Sequence, residues 1–335
     1  MNEREAPLRL PATFERTDRA KGRALELASD LWLDQPDAHE RIDRLRSDGQ
    51  VADDEATRLH TFVDAGYLKL TIDLDERASA GFEADVARLW RERPADLAVS
   101  PPGPESPVSF CDYDGPTRPR GYRIPDLHSH SEHALDLYLH RELFRMVELI
   151  YGEPALAFQS LYFEQGSEQA LHRDPMFVHT VPATHLVASW VALEDVTIES
   201  GPLIYVPKSH RLPWFEFTPG SIAAGRDAPP EKQREFSQWK QDVMRAAGLE
   251  ATPFCCRRGD VFIWHAGLLH GGAPILDPAL TRRSLIVHYS TAANYRSRTS
   301  RMRVRAGNGW RRVPSTTERV ITRAGRRGLD NPQRR

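Results

Sequence analysis

The pattern of apolar and polar residues changes character near residue 154. Beyond that point, short apolar runs rich in β-branched and aromatic residues alternate with turn residues, which is typical of strands. The runs that predict strands are 158–163, 186–193, 203–206, 254–256, 261–264 and 284–289. Several short strands separated by turns predict an antiparallel sandwich or barrel.

The N-terminal half carries helical spacing and strong helix formers instead. The helices predicted in this way are 23–28, 52–59, 76–92 and 133–151. Gly152 provides the stop for the last of them, and an alternating stretch over 68–72 predicts a short strand. We therefore expect a helical extension over residues 1–60, followed by a main domain over residues 61–295.

Two segments fit neither pattern. Residues 211–252 form a long aromatic-rich insertion between predicted strands, which indicates either a lid over a functional site or a helical satellite on the sheet edge. Residues 296–335 are rich in arginine. We expect them to form a solvated basic tail, in preference to a surface that binds RNA or anionic lipid.

The composition is that of an ordinary globular protein, with 335 residues, 27% charged residues and a formal net charge of −2. This length suits one large domain or two modest ones, and the near-neutral charge gives no reason to expect nucleic acid or a membrane as partner. The odd number of cysteines, two of them adjacent, argues against a disulfide framework, and the absence of a C-x-x-C pair argues against a zinc site of that kind. Without an apolar leader or a membrane-length apolar run, we expect a cytoplasmic protein.

The chemistry begins at His172 and Asp174, which stand two residues apart. In an extended strand such residues point to the same face. His270 lies just beyond the predicted strand 261–264 and offers a second imidazole; His265, at the end of that apolar run, is its rival. Two histidines and one carboxylate on one face of a metal suit non-haem Fe(II), which then keeps open positions for a co-substrate and dioxygen.

An arginine pair opens the apolar strand 284–289. A buried guanidinium is costly without an anionic partner, and its shape suits a carboxylate bound through two hydrogen bonds. Strand alternation turns Arg282 and Arg283 to opposite faces, so only one of them can point into a site. The residues by themselves leave both candidates open.

Five segments appear in a recognisable order: H-x-D at 172–174, W-V-A-L-E-D at 190–195, G-P-L-I-Y-V-P-K-S-H at 201–210, H-G at 270–271 and an arginine at 282. Together they resemble the phytanoyl-CoA dioxygenase family of Fe(II)- and 2-oxoglutarate-dependent oxygenases. The resemblance implies a mainly β protein with flanking helices, built on a double-stranded β-helix (a cupin-like jelly roll).

The same resemblance implies roles for individual residues. His172, Asp174 and His270 would hold Fe(II), and Arg282, rather than Arg283, would bind the distal carboxylate of 2-oxoglutarate. The remaining candidates line the co-substrate pocket, or alternatively pack in the core: Gln159, Tyr162 and Trp190.

The implied reaction consumes dioxygen and 2-oxoglutarate, releases succinate and CO2, and oxidises a C–H bond of a small-molecule substrate. Related halogenases lack the metal-binding carboxylate, so the presence of Asp174 favours hydroxylation, although desaturation, ring closure or epimerisation would begin with the same step. Arginines at 118, 120 and 123 suggest either an anionic substrate or an ordinary solvated surface. The oligomeric state stays open.

Two other functions are compatible with a jelly roll. One is a protein that binds a metal or small molecule without oxidising it, for which the loss of at least one of the four key residues would be expected. The other is a metal-dependent hydrolase or isomerase, which needs an additional general base. The histidines available for that role are His179, His185 and His288.

Overall fold

The structure is a computed structural model. It describes residues 24–27, 29–102, 107–178, 180–224 and 229–295, together with the backbone of 302–306, 309–313, 319–323 and 326–330. The α-helices of this part are α1 (Ala38–Ser47), α2 (Asp53–Ala65), α3 (Glu76–Glu92), α4 (Glu132–Tyr138), α5 (Arg141–Tyr151) and α6 (Pro230–Ala247).

Strands occupy both ends of the described chain and dominate it after residue 154. The first nine are β1 (Ala24–Leu25), β2 (Tyr67–Thr71), β3 (Ala98–Val99), β4 (Val108–Ser109), β5 (Arg123–Pro125), β6 (Ala155–Phe163), β7 (Val187–Ala192), β8 (Leu203–Tyr205) and β9 (Trp214–Phe215). The others are β10 (Thr252–Phe254), β11 (Asp260–His265), β12 (His270–Gly272), β13 (Ser284–Thr291), β14 (Met302–Ala306), β15 (Gly309–Val313), β16 (Arg319–Arg323) and β17 (Arg326–Asp330).

Two sheets form the centre of the fold. The larger has the strand order β16-β17-β6-β13-β7-β11-β2, with β5 added beside β6. The smaller has the order β10-β8-β12, and an antiparallel bridge between His172 and His270 extends it. Between the sheets lies an apolar cluster that includes Trp190 and Phe262 from the large sheet and Tyr205 from the small one. The expected jelly-roll fold is confirmed.

The helices cover the outer face of the large sheet. Their buried apolar side chains, among them Leu59 and Leu89, join one core with Leu285 and Val287 of β13. Alternation along β13 therefore sends these two residues towards the helices, whereas Ile286 packs with the cluster between the sheets. The helices α1 and α2 pack on this common core as well, through side chains such as Ile42 and Phe62.

Several predicted elements have the expected bounds, and others differ. Helix α3 covers the predicted residues 76–92, whereas the stretch 133–151 is two helices separated at Leu139 and His140. The helix predicted over 23–28 is wrong for Ala24–Leu25, which pairs as strand β1 with β9. Six residues with good helix propensity are too few to hold a helix without tertiary support, so pairing with another strand decides the conformation.

The insertion contains a packed helix, α6, while its role as a lid stays a prediction. Phe236 and Trp239 of α6 lie against Phe215 in a small apolar cluster of their own. The Lys240 ammonium donates a hydrogen bond of 2.8 Å to the carbonyl of Leu171, directly before the H-x-D segment. The helix thus supports the chain that carries the candidate metal ligands.

The basic C-terminal segment departs from the solvated tail that its composition predicts. The described strands there pair with the rest of the fold: β14 with β4 and β17 with β6, both in parallel. Backbone pairing at open sheet edges is available to any sequence that offers unpaired N–H and C=O groups, and net charge gives no signal of it. Among the described residues, no helix is long and apolar enough to cross a membrane.

Candidate metal centre

Three potential ligands meet where the small sheet ends. His172 and His270 face each other across the antiparallel bridge, with backbone hydrogen bonds of 2.9 and 3.0 Å in the two directions. Asp174 follows as the first residue of a short 3-10 turn. One ligand atom from each of the three residues lies within 4.8 Å of the other two. No fourth ligand joins the set from the described part of the chain, so positions stay open as the facial arrangement requires.

Both imidazoles are held with the same nitrogen directed at the centre. Nδ1 of His172 lies 3.0 Å from the carbonyl of Ala170, and Nδ1 of His270 lies 3.0 Å from the carbonyl of Leu268. A carbonyl only accepts, so each Nδ1 carries a proton and each Nε2 is the nitrogen directed at the centre. Burial by itself would lower the pKa of His270, but the charge and hydrogen bond of Asp174 raise it, so Nε2 of His270 would have to release its proton before it could bind a metal. Burial, with repulsion from His270, lowers the pKa of His172 to about 3, which keeps that imidazole neutral and ready to bind a metal.

The carboxylate of Asp174 is ionised and anchored. Burial by itself would raise the pKa of Asp174, but the charge and hydrogen bond of His270 hold that pKa well below its ordinary value. Oδ1 lies 3.4 Å from Nε2 of His270 and 3.9 Å from Nε2 of His172. Oδ2 accepts a 2.8 Å hydrogen bond from the indole N–H of Trp264. Oδ1 is therefore the oxygen that faces the two imidazoles.

The H-G segment requires a glycine at position 271, because there is no room for a side chain. A Cβ atom on Gly271 would stand 2.5 Å from the carbonyl oxygen of Gln169 and 3.1 Å from the backbone nitrogen of Leu171. Any side chain would push β12 away from the neighbouring chain that leads into His172. The close approach of these two backbones is what brings the two histidines together.

Two further residues fasten the H-x-D segment. Arg173 turns away from the centre, and its guanidinium donates to the carbonyls of Pro213, Ser209 and Leu212 at 2.8, 2.7 and 3.2 Å. The hydroxyl of Ser209 accepts the backbone N–H of Leu269 at 2.8 Å, next to His270. Ser209, near the end of the G-P-L-I-Y-V-P-K-S-H segment, thus contacts both segments that carry the candidate ligands. No pattern along the sequence singles out Arg173 for this role.

The rival ligand His265 lies on the other side of β11. Its Nε2 is 3.1 Å from Oδ2 of Asp34, and its Nδ1 accepts the backbone N–H of Gly267 at 2.9 Å. Both ring nitrogens are therefore engaged away from the metal centre. The sequence pattern left the choice between His265 and His270 open. The structure favours His270, because His265 lies on the face of β11 that points away from the metal centre.

The two arginines that lead into β13 have opposite surroundings. Arg282 is 3% exposed, and its guanidinium lies 5.6 Å from the ring of Trp190 and 5.8 Å from that of Phe163. Its one hydrogen bond among the described residues is to Ser284 at 3.3 Å, Nε has none, and no carboxylate is within ion-pair distance. Burial lowers the pKa of Arg282 to about 10. Within the described part of the chain, this cation forms no ion pair, and only the more distant charges of Cys256 and Glu194 oppose the effect of burial on its pKa.

Arg283 faces the helices instead and is already neutralised. Its guanidinium lies 2.9 Å from Glu194 and 3.1 Å from Glu83. Arg282 is therefore the arginine available to a carboxylate ligand. Ser284 is an additional candidate in the same pocket: it stands two residues after Arg282 on the same face, a spacing that the sequence did show.

The three predicted pocket residues do not all face the space between the two sheets. Trp190 lies beside Arg282, and Gln159 is the cross-strand partner of His288, so both are on inward-facing positions. Tyr162 lies elsewhere: it packs in the core between the sheet and the helices, with its ring 5.7 Å from Phe82. The prediction of Tyr162 as a pocket residue is therefore corrected, because alternation along β6 sends this side chain outward.

The structure also places two of the remaining histidines and one arginine of the arginine-rich loop. Nε2 of His288 is 3.7 Å from Oδ1 of Asp174, whereas His185 stacks on Tyr151. His179 lies outside the described residues. Arg118 is paired with Glu83 at 2.7 Å and Glu164 at 3.3 Å, so its charge is neutralised within the protein. These pairs argue against recognition of an anionic substrate by Arg118.

Comparison with known proteins fits this centre. A bovine (Bos taurus) "Phytanoyl-CoA dioxygenase domain-containing protein 1" is 37% identical over 95 residues, which is 24% of this chain and 31% of that protein. The chain thus spans about a third of this curated relative's length.

Solved structures share the fold at low sequence identity. The epimerase SnoN, crystallised with Fe3+, alpha ketoglutarate and nogalamycin RO, superposes with a TM-score of 0.53 at 20% identity, covering 87% of this chain and 98% of its own. EctD from S. alaskensis, with 2-oxoglutarate and 5-hydroxyectoine, gives 0.51 at 17% identity over 73% of this chain and 77% of its own.

The family model described as "Phytanoyl-CoA dioxygenase (PhyH)" matches residues 120–284. This span begins before β6 and includes all three candidate ligands and Arg282. Residues 120–284 therefore match the phytanoyl-CoA dioxygenase family, and the shared fold and the arrangement of the centre agree with that match.

Proposed function

We propose that this protein is an Fe(II)- and 2-oxoglutarate-dependent dioxygenase that oxidises a C–H bond of a small-molecule substrate and releases succinate and CO2. One observation carries the proposal: the centre of His172, Asp174 and His270 borders the apolar cluster between the sheets through Trp264, and Arg282 borders the same cluster through Trp190. Arg282 is a buried cation that forms no ion pair among the described residues. A metal binder without this co-substrate would have no use for such a cation.

The residues of the centre suit both Fe(II) and 2-oxoglutarate. Two imidazoles and one carboxylate are a donor set that binds Fe(II) and leaves positions for a chelating co-substrate and for dioxygen. The bound iron, with 2-oxoglutarate and dioxygen, supplies the oxidising power. The protein's own share is to hold these groups and the substrate in register and to keep water away from them.

The co-substrate's distal carboxylate is assigned to Arg282 and Ser284. The guanidinium offers paired N–H donors, and the hydroxyl 3.3 Å away adds a third donor on the same face. The rings of Trp190 and Phe163 on the guanidinium keep this end of the pocket dry, which strengthens the charge-assisted hydrogen bonds.

Hydroxylation is the outcome we propose. Asp174 fills the coordination position that a halide would need, which disfavours halogenation. The fold is also shared by an epimerase and by a protein crystallised with a hydroxylated compound, so epimerisation is the second outcome to test. Product analysis by mass spectrometry separates the two, because hydroxylation adds one oxygen atom and epimerisation leaves the mass unchanged.

The test is an anaerobic titration of metal-free protein with Fe(II) and then 2-oxoglutarate, followed by visible absorption. A chelated 2-oxo acid on Fe(II) gives a charge-transfer band, which we expect only after both additions. The band should disappear in Asp174→Ala and Arg282→Met and persist in Arg283→Met. Folded wild-type protein that binds iron but gives no band would refute the proposal and favour a jelly-roll protein without oxidative activity.

A further inference from the structure

The indole of Trp264 makes an unusual contact for a buried tryptophan of this protein. Trp264 lies on β11, is 1% exposed and donates from Nε1 to Oδ2 of Asp174 at 2.8 Å. Three other buried tryptophans have no hydrogen-bond partner for Nε1 within the described residues: Trp90, Trp190 and Trp239. A fourth, Trp32, donates from Nε1 to the backbone carbonyl of Leu149 at 3.0 Å. Of these five buried indoles, that of Trp264 is the one bonded to a carboxylate, so its contact is not a general consequence of burial in this fold.

The contact affects the way in which the carboxylate can be used. An ionised carboxylate has two equivalent oxygens and can bind a metal through one or both. Asp174 sits in a short turn, where the backbone fixes the position of its Cα but not the rotation of its carboxylate. An indole N–H only donates, so it occupies a lone pair of Oδ2 and leaves Oδ1 towards His172 and His270.

We propose that Trp264 is a positioning residue, which holds Asp174 so that it binds the metal through Oδ1 alone. The inference rests on the metal centre of the proposed function, but not on the identity of the co-substrate or substrate. Binding through one oxygen keeps an additional coordination position open for the reactants. The ring of Trp264 also lies 4.8 Å from that of His270, so the same side chain supports two of the three ligands.

Trp264→Phe removes the N–H donor and keeps an aromatic ring. Because Oδ2 of Asp174 then has no indole to orient it, we expect the affinity for Co(II), used as a stable substitute for Fe(II), to fall about 10- to 100-fold. Trp239→Phe is the matched control, because Trp239 is equally buried and its Nε1 has no partner among the described residues. It should change the affinity less than about twofold.

The visible spectrum of bound Co(II) provides the second readout, since it responds to the number and geometry of the ligand atoms. At saturating Co(II), the spectrum of Trp264→Phe should differ from that of the wild type, and the spectrum of Trp239→Phe should not. Unchanged affinity and spectrum in folded Trp264→Phe would overturn the inference. If that variant does not fold, replacement of Trp264 by β-(3-benzothienyl)alanine removes the N–H at nearly constant shape and serves the same comparison.

Asp174→Ala separates this inference from the proposed function. Wild-type protein that binds Co(II), together with an Asp174→Ala variant that does not, establishes the centre even if 2-oxoglutarate never binds, and Trp264 can then be judged on its own. Wild-type protein that binds no Co(II) at all would overturn the positioning role together with the metal centre.

Discussion

Replacing Arg282 with methionine is expected to stabilise the ligand-free protein and to weaken its binding of 2-oxoglutarate strongly. The side chain is 3% exposed, and no carboxylate among the described residues pairs with it. Burial lowers its pKa from an ordinary 12.5 to about 10, and a difference of this size corresponds to about 3 kcal/mol against the charged form. Because the folded-state pKa is the lower one, this cost is present throughout the range below pH 10.

Methionine has a similar length and no charge, so it removes this cost but also removes the contacts with Trp190 and Phe163. Those cation–π contacts stabilise by about 1 kcal/mol, which leaves a net gain of about 2 kcal/mol. The melting temperature should then rise by about 4 °C, at about 2 °C per kcal/mol for a large domain. Loss of a buried charged partner should weaken 2-oxoglutarate binding by about 3 kcal/mol or more, about 100-fold.

Arg283→Met is the control, one residue away on the opposite face. It removes the guanidinium from Glu194 and leaves Glu83 with Arg118 alone, so we expect the melting temperature to fall and the affinity for 2-oxoglutarate to stay within about twofold. Differential scanning fluorimetry and anaerobic calorimetry in the presence of Mn(II) measure the two quantities. A destabilised Arg282→Met protein with unchanged 2-oxoglutarate affinity would refute the assignment of Arg282 as a cation awaiting its anion.

Three further predictions concern the neighbourhood of the centre. His288 is buried, and neither of its ring nitrogens is hydrogen-bonded among the described residues. His288→Leu should therefore change the unfolding free energy of the metal-free protein by less than about 1 kcal/mol. A larger loss, measured by urea unfolding, would mean that His288 has a hydrogen-bond partner. Gly271→Ala should displace β12 and weaken Co(II) binding at least about tenfold, and unchanged binding would show that the backbones need not approach so closely. Burial would raise the pKa of Asp34, but His265 lowers it to about 2. Asp34→Asn should therefore lower the free energy of unfolding by about 2 kcal/mol at pH 7. The difference from wild type should vanish as the pH falls from about 4 to about 2, because a carboxyl group with a lowered pKa stabilises the fold only above that range. A difference that persists at pH 2 would contradict the pairing.

The local features of this protein were readable from its sequence. The bounds of α3 follow from helical periodicity, and the strands of the jelly roll follow from short apolar runs between turns, because both signals come from neighbouring residues. The common face of His172 and Asp174 needed only the two-residue repeat of an extended chain. The resemblance of the ordered motifs to a known family then indicated the third ligand.

The tertiary structure decided which face of each strand is the inside. Alternation states that Arg282 and Arg283 point in opposite directions, but it does not say which one meets the helices. The same is true of Tyr162, which packs outward. It took the helical layer on one face of the large sheet and the small sheet on the other to settle these positions.

Contacts between distant parts of the chain were likewise beyond local patterns. Asp34 engages His265 across 231 positions, and Trp264 reaches Asp174 across 90. No periodicity links such residues, because each contact depends on the packing of whole elements rather than on spacing along one. The sequence by itself determined the ligand types and their local order; packing determined which of them meet in a dry interior, where an unpaired charge or a single hydrogen bond has its largest effect.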